Sequence, residues 1–215
     1  MKTSGKHAKI IINPADKRVF KTYNDPMYVD NEFFALSFLA GQNIMDLNPR
    51  KETLYTISMD FIEDARNPDD SDLKPLPAML ARYLKTLHSC SYKKFGEYIT
   101  HEDIFADNIL ICGKFGTLYF IDWGLSQKRS TPYPDIASCA LGVFNNEPES
   151  YRQFLQNYFE DISKIDFSLI EKYISSLYNK FKSIRIENDF ETNSLDKRLE
   201  NAGKVIRSVQ TRGRI

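Results

Sequence analysis

Ile99-Thr100-His101-Glu102-Asp103-Ile104-Phe105-Ala106-Asp107-Asn108-Ile109-Leu110-Ile111, followed shortly by Tyr119-Phe120-Ile121-Asp122-Trp123-Gly124, is the stretch on which the reading of this chain turns. Reduced to its polar positions it is H-x-D-x-x-x-x-N, an apolar run, a turn, a second apolar run, and Asp-aromatic-Gly. The runs Asn108–Cys112 and Thr117–Ile121 flank Gly113-Lys114-Phe115-Gly116, a hairpin signal. A tight hairpin at this point brings Asn108 and Asp122 to one end of a small sheet, with Asp103 just upstream.

Outward from that centre the pattern splits in two. Toward the N-terminus, residues 8–23 predict a β-hairpin around Asn13-Pro14-Ala15-Asp16, with Lys21 and Val19 alternating against Phe20 in its second strand. Residues 28–40 predict a helix, capped by Asp30 or Asn31, with Phe33, Leu36 and Leu39 or Ala40 at helical spacing and Gly41 at its end. Residues 53–62 read as a strand. Glu63 to Pro77, with three prolines and a run of acids, read as a linker. Residues 77–90 form an amphipathic helix with a proline in its first turn. Beyond the hairpin, helices are expected over 135–144, 149–162, 167–183 and 194–210, the basic end fraying after Lys204. The expectation is an α+β fold with two lobes: a β-rich N-lobe over 1–63 and a mainly helical C-lobe over 64–215.

Bulk composition narrows the partners. Lys plus Arg and Asp plus Glu number 29 each, so no global field draws in nucleic acid or an anionic membrane. Phosphate binding has to come from a local site. The three cysteines, Cys90, Cys112 and Cys139, include no C-x-x-C pair, which argues against a disulfide framework or a cysteine zinc site. The opening MKTSGKHAKI lacks the apolar stretch of a signal peptide, and no run reaches the ~18 apolar residues of a membrane span. A cytoplasmic setting is expected, although delivery by a dedicated secretion machine leaves no such mark.

The central segment resembles the catalytic and metal-binding loops of the protein-kinase-like superfamily, H-R-D-x-x-x-x-N and D-F-G. It is most similar to the aminoglycoside phosphotransferase and choline kinase branch, whose loop reads H-G-D before Asn-Ile-Leu and a strand ending Ile-Asp-Trp. Leu84-Lys85-Thr86-Leu87-His88-Ser89 and Pro134-Asp135-Ile136-Ala137 resemble two further segments of that branch. The resemblance covers residues 53–145 well and 8–45 loosely. It implies an ATP- and Mg²⁺-dependent kinase. Asp103 would orient an acceptor hydroxyl and take its proton. Asn108 and Asp122 would bind Mg²⁺, with Gly124 turning the backbone. Lys21 would hold nucleotide phosphates, Glu32 would pair with it, and Asp60 and Ile62, in Met59-Asp60-Phe61-Ile62, match the hinge that meets adenine. His101 reads as a scaffold of the loop, His88 as a buried structural histidine, and Asp135 as an anchor or cap.

The chain departs from this family in three ways. The glycine-rich phosphate loop is missing: either the first strand is lost, or Asn13–Asp16 makes a cover without glycine. Glu102 stands where regulated protein kinases carry an arginine that reads an activation-loop phosphate, which implies a site assembled without such a switch. The C-terminal half is short. The acceptor lies between a protein serine or threonine, favoured by that shortness and taken as the first expectation, and a small hydroxyl compound, favoured by the branch. A catalytically inactive binding module and an AMP transferase on the same fold are the competing readings.

Overall fold

The computed structural model describes residues 2–4, 8–72, 74–113, 116–187 and 191–212. The expected hairpin is present as β2 (Ala8–Asn13) and β3 (Arg18–Tyr23), with Ile10 opposite Lys21. Asn13 Oδ1 accepts from the Ala15 N–H at 3.2 Å, the local bond that makes this sequence turn. A strand the sequence reading left out, β1 (Lys2–Ser4), pairs with the free edge of β2. The first strand is therefore not lost, and the turn Asn13–Asp16 joins β2 to β3 rather than to that strand. That turn sits at the other end of β2, where the Lys17 carbonyl accepts from Phe61 N at 2.8 Å and its ammonium pairs with Glu63 at 3.1 Å. Residues 5–7, between β1 and β2, lie outside the described residues.

β3 pairs with β5 (Thr56–Asp60), and β5 with β4 (Arg50–Lys51), closing a five-stranded antiparallel sheet of order β1-β2-β3-β5-β4. Helix α1 (Pro26–Gly41) starts earlier than expected, because Asp25 accepts from Met27 N at 2.8 Å and Pro26 fits its first turn. Its buried stripe is Val29, Glu32, Ala35, Leu36 and Leu39, so one carboxylate is embedded in an apolar face.

The second part is helical. Helix α2 (Leu76–Phe95) passes its expected end and stops at Gly96, whose φ of 70° suits a residue without Cβ. Leu80, Leu84 and Leu87 are fully buried along it, each contributing about 1.5–3 kcal/mol. Strand β6 (Tyr98–Thr100) pairs with β9 (Gln127–Arg129), and β7 (Ile109–Cys112) with β8 (Thr117–Phe120). These two ribbons hold the segments 101–108 and 121–126 side by side. The linker is not loose: Arg66 bonds through its backbone to Ile111 and through its guanidinium to Asp72 at 2.6 Å. Helices α3 (Tyr133–Gly142), α4 (Pro148–Phe159), α5 (Phe167–Glu187) and α6 (Asn193–Arg212) complete the chain. The end of α6 does not fray after Lys204: Val205, Ile206 and Val209 continue the buried stripe begun by Leu195 and Ala202. Among the described residues, no helix is long and apolar enough to cross a membrane.

Helix α3 ends against the segment after β6. A Cβ on Gly142 would stand 2.1 Å from the Ile104 carbonyl oxygen, whereas one on Gly41 would meet nothing within 4 Å. Gly142→Ala is expected to cost about 1–3 kcal/mol or more, and Gly41→Ala to cost nothing or to stabilise. Urea midpoints of the two variants measure the contrast.

Candidate active site

The segment after β6 is held from below by a buried acid. Asp135, in the first turn of α3, accepts from His101 N at 2.8 Å and Glu102 N at 2.9 Å, and faces His88 Nε2 at 3.0 Å. His88 in turn meets the Tyr158 hydroxyl at 2.7 Å, so both residues serve the scaffold. Ser138 Oγ, one turn on, accepts from Ile104 N at 2.8 Å. The His101 ring bridges the two loops: Nε2–H donates to the Ile121 carbonyl at 3.0 Å, and Nδ1 accepts the Asp103 N–H at 3.2 Å. That pairing assigns the neutral Nε2–H tautomer. Burial drives the His101 pKa down from its ordinary value, in agreement.

Asp103 is thereby turned toward the cleft, half-buried. The Asn108 amide donates to its carbonyl and its Oδ2, both at 2.9 Å, which leaves the amide oxygen as the Asn108 atom suited to a cation. Asn67 of the linker fixes the turn before Asn108, its Nδ2 lying 2.9 Å from the Ile109 carbonyl and 3.1 Å from those of Ala106 and Asp107.

Across the cleft lies the ion set of β3 and α1. The Lys21 ammonium is 2.8 Å from Glu32 Oε1 and 3.5 Å from Asp122 Oδ1. The Tyr23 hydroxyl is 2.6 Å from Glu32 Oε2 and 3.2 Å from Asp122 Oδ1. Trp123 N donates to Glu32 Oε1 at 3.3 Å. Burial lowers the Lys21 pKa, but the charges of Asp122 and Glu32 outweigh it and hold the ammonium above its ordinary value. Burial likewise opposes ionisation of Asp122, yet Lys21 keeps that carboxyl below the usual carboxylate range. Burial and the same two carboxylates raise the Tyr23 phenol, which stays protonated. The turn into the Asp-Trp-Gly segment occurs at Asp122 itself, φ 66° and ψ 60°, rather than at Gly124. Gly124 instead permits close packing: a Cβ there would stand 3.3 Å from both the Tyr23 hydroxyl and the Tyr28 ring. Asn31 is not the cap of α1; its amide donates to the Gly124 carbonyl at 3.0 Å.

Lys21, Asp103, Asn108 and Asp122 line one cleft of about 260 Å³, together with Ala8, Ile10 and Tyr23, and Glu32 stands behind Lys21. Asp60 and Ile62 do not line it. The Asp60 carboxylate is engaged by Arg18 at 2.8 Å, and its N–H by the Leu47 carbonyl. Sequence reasoning missed Tyr23 and Asn67, which carry no motif, and the partners of Glu102. That carboxylate is buried at φ 61°, 2.5 Å from Arg129 Nε in β9 and 3.0 Å from Lys180 Nζ in α5.

No family model matches the sequence, and no curated protein sequence matches it. Solved structures do. The choline kinase LicA from Streptococcus pneumoniae superposes with a TM-score of 0.70 at 15% identity, over 97% of this chain and 92% of that one. An ethanolamine kinase from Plasmodium vivax gives 0.70 at 13% identity, over 97% and 82%. LicA in complex with AMP gives 0.65 at 17% identity, over 96% and 90%. The chain thus has the two-lobed kinase-like fold seen in choline and ethanolamine kinases.

Two outcomes follow from the loop geometry. Because the folded pKa of His101 lies below its unfolded value, its contribution to stability is complete above about pH 6.5 and is lost as pH falls. Unfolding free energy should decline below that pH with a slope of up to about 1.4 kcal/mol per unit, and His101→Gln, weaker at neutral pH, should lack that component in urea titrations between pH 5 and 7. Glu102→Gln should lose about 1.5–3 kcal/mol, read in the same assay, since Arg129 and Lys180 then share a neutral partner.

Proposed function

We propose that the chain is a Mg²⁺- and ATP-dependent phosphotransferase that moves the γ-phosphoryl group to a hydroxyl. The observation that supports this most is the convergence on one cleft of Lys21 from β3, Asp103 and Asn108 from the segment after β6, and Asp122 from the segment after β8. A lysine held by a buried carboxylate opposite two oxygen ligands and a further carboxylate positioned by Asn108 is what phosphoryl transfer requires, since the enzyme's part is positioning and charge neutralisation.

In this reading the nucleotide lies between the strand-rich part up to residue 63 and the helical remainder. Lys21 contacts its α- and β-phosphates. Asp122 and Glu32 keep Lys21 charged, and the Tyr23 hydroxyl sits against both carboxylates. Asp60 is better assigned to the fold than to adenine, and Ile62 remains the proposed backbone contact for the base. The donor set fits Mg²⁺, for which Asp122 would supply a carboxylate and Asn108 an amide oxygen. Among the described residues no three His, Cys, Asp or Glu side chains are placed to hold a metal by themselves, which suits a cation that arrives with its nucleotide. That ion would neutralise charge on the phosphates. Asp103 aligns the acceptor hydroxyl and receives its proton while the acceptor oxygen forms a bond to the γ-phosphorus. The bond from the γ-phosphorus to the β–γ bridging oxygen breaks, and ADP leaves. The helical half was expected to be short, yet the superposition takes in 97% of this chain and 92% of LicA, and α5 and α6 stand beside the cleft. This favours a small hydroxyl compound over a protein side chain.

Purified protein with Mg²⁺ and γ-labelled ATP is expected to release or transfer label. Asp103→Ala should slow transfer by about 10²–10⁴-fold, and Asp122→Asn should abolish the Mg²⁺-dependent part. Equal rates for wild type and Asp122→Asn would refute the assignment, and label retained from α- rather than γ-labelled ATP would make the chain an AMP transferase.

A further inference from the structure

The cleft has a second wall that the phosphoryl chemistry does not use. It is built by Phe105, Phe181, Ile184, Arg185, Leu195 and Arg198, from the segment after Asp103, the end of α5 and the start of α6. Phe181 meets Phe105 edge to face at a centroid distance of 5.3 Å. The Arg198 guanidinium lies 5.3 Å from the same ring's centroid. Phe105 is two residues from Asp103, so this wall stands beside the carboxylate that would face the acceptor.

Both arginines are half-buried, and their contacts among the described residues are to neutral oxygens. Arg198 Nη1 donates to the Gly142 carbonyl at 3.1 Å. Arg185 Nη1 donates to the Glu191 carbonyl at 2.9 Å and to Ser194 Oγ at 2.8 Å. Neither guanidinium has a carboxylate within 4.0 Å among the described residues. These bonds fix each guanidinium by one corner, and a guanidinium has five N–H donors. Among the described residues the remaining carboxylate of the cleft, Asp107, is exposed and can offset only one of the two charges. A cationic acceptor would need the aromatic face for its ammonium group, but Arg198 already stands on that face of Phe105.

We propose that the acceptor of the phosphoryl group is an anionic hydroxyl compound, whose carboxylate or phosphate group is held by Arg185 and Arg198 while its hydroxyl reaches Asp103. This rests on the phosphotransferase reading above. Planar guanidinium forks match the oxygens of either anion. The two charges also set a rule of exclusion, because a quaternary ammonium acceptor meets like charge at the position where its head group would sit.

The test uses the full chain saturated with Mg²⁺ and a non-hydrolysable ATP analogue, with thermal shift and titration calorimetry as readouts. Glycerate, glycerol 3-phosphate, glycerol and choline are added at millimolar concentrations. Glycerate or glycerol 3-phosphate should stabilise the loaded protein further, the stronger of the two identifying the anion, while glycerol and choline should not. The Arg185→Gln/Arg198→Gln double variant should lose about 10- to 100-fold in anion affinity and keep its response to Mg²⁺ and nucleotide. Should the pair not fold, the single variants carry the same test, and Arg198→Lys should retain more anion affinity than Arg198→Gln. A choline response equal to that of the anions, no anion response, or an anion response that survives in the variants overturns the proposal. So does loss of the nucleotide response in the variants, which would assign the arginines to ATP. A wild type that shows no response to Mg²⁺ and nucleotide refutes the kinase reading instead.

Discussion

A carboxylate removed from water must be met by donors, and the three donors available to Glu32 come from two distant parts of the chain. Lys21 belongs to β3, the Tyr23 hydroxyl to the end of the same strand, and the Trp123 N–H to the segment after β8. Glu32 is itself a member of the buried stripe of α1. Leaving such a charge unpaired costs several kcal/mol, far more than any one of these bonds contributes when all are made. The sheet, α1 and the Asp-Trp-Gly segment are therefore held together by necessity rather than by the sum of weak attractions. Asp122 joins the same set through Lys21 and Tyr23, which is why the cleft takes its shape on that side.

Asp135 plays the corresponding part in the helical half. It is fully buried, and its oxygens take the N–H groups of His101 and Glu102 and face the ring of His88. Glu102 then reaches away from it to Arg129 and Lys180, tying β9 and α5 to the same loop. The buried carboxylate of Glu102 is thereby neutralised by two cations of the chain itself. The positions of Asp103 and Asn108 thus depend on groups in α3, β9, α5 and the linker, none of which faces the cleft.

The central loops were legible in the sequence because two short patterns, H-x-D-x-x-x-x-N and Asp-Trp-Gly, are separated by a hairpin whose glycines fix its length. The long helices were legible from their apolar spacing. What was not legible has physical causes. In α1 Phe33 packs partly buried against the core as read, but full burial falls on Glu32, whose pairing with Lys21 came from the resemblance: periodicity counts apolar residues and does not mark a carboxylate that brings its own counter-charge. The end of α6 looked frayed because its last turns are basic, but Val205, Ile206 and Val209 outweigh the charges once α6 packs on the helical core. β1 is three residues long and polar, and its pairing with β2 leaves no mark in composition. Tyr23 and Asn67 act through hydrogen bonds to partners distant in sequence, which no local pattern encodes.

Asp122 illustrates how little freedom a position can have. Its backbone lies in the left-handed region, where residues other than glycine, asparagine and aspartate are strained by about 1–2 kcal/mol. Its side chain faces the Lys21 ammonium, whose charge calls for a carboxylate. Glutamate satisfies the second demand and not the first; glycine and asparagine satisfy the first and not the second. The two filters, one steric and one electrostatic, act independently, and aspartate meets both at the lowest cost.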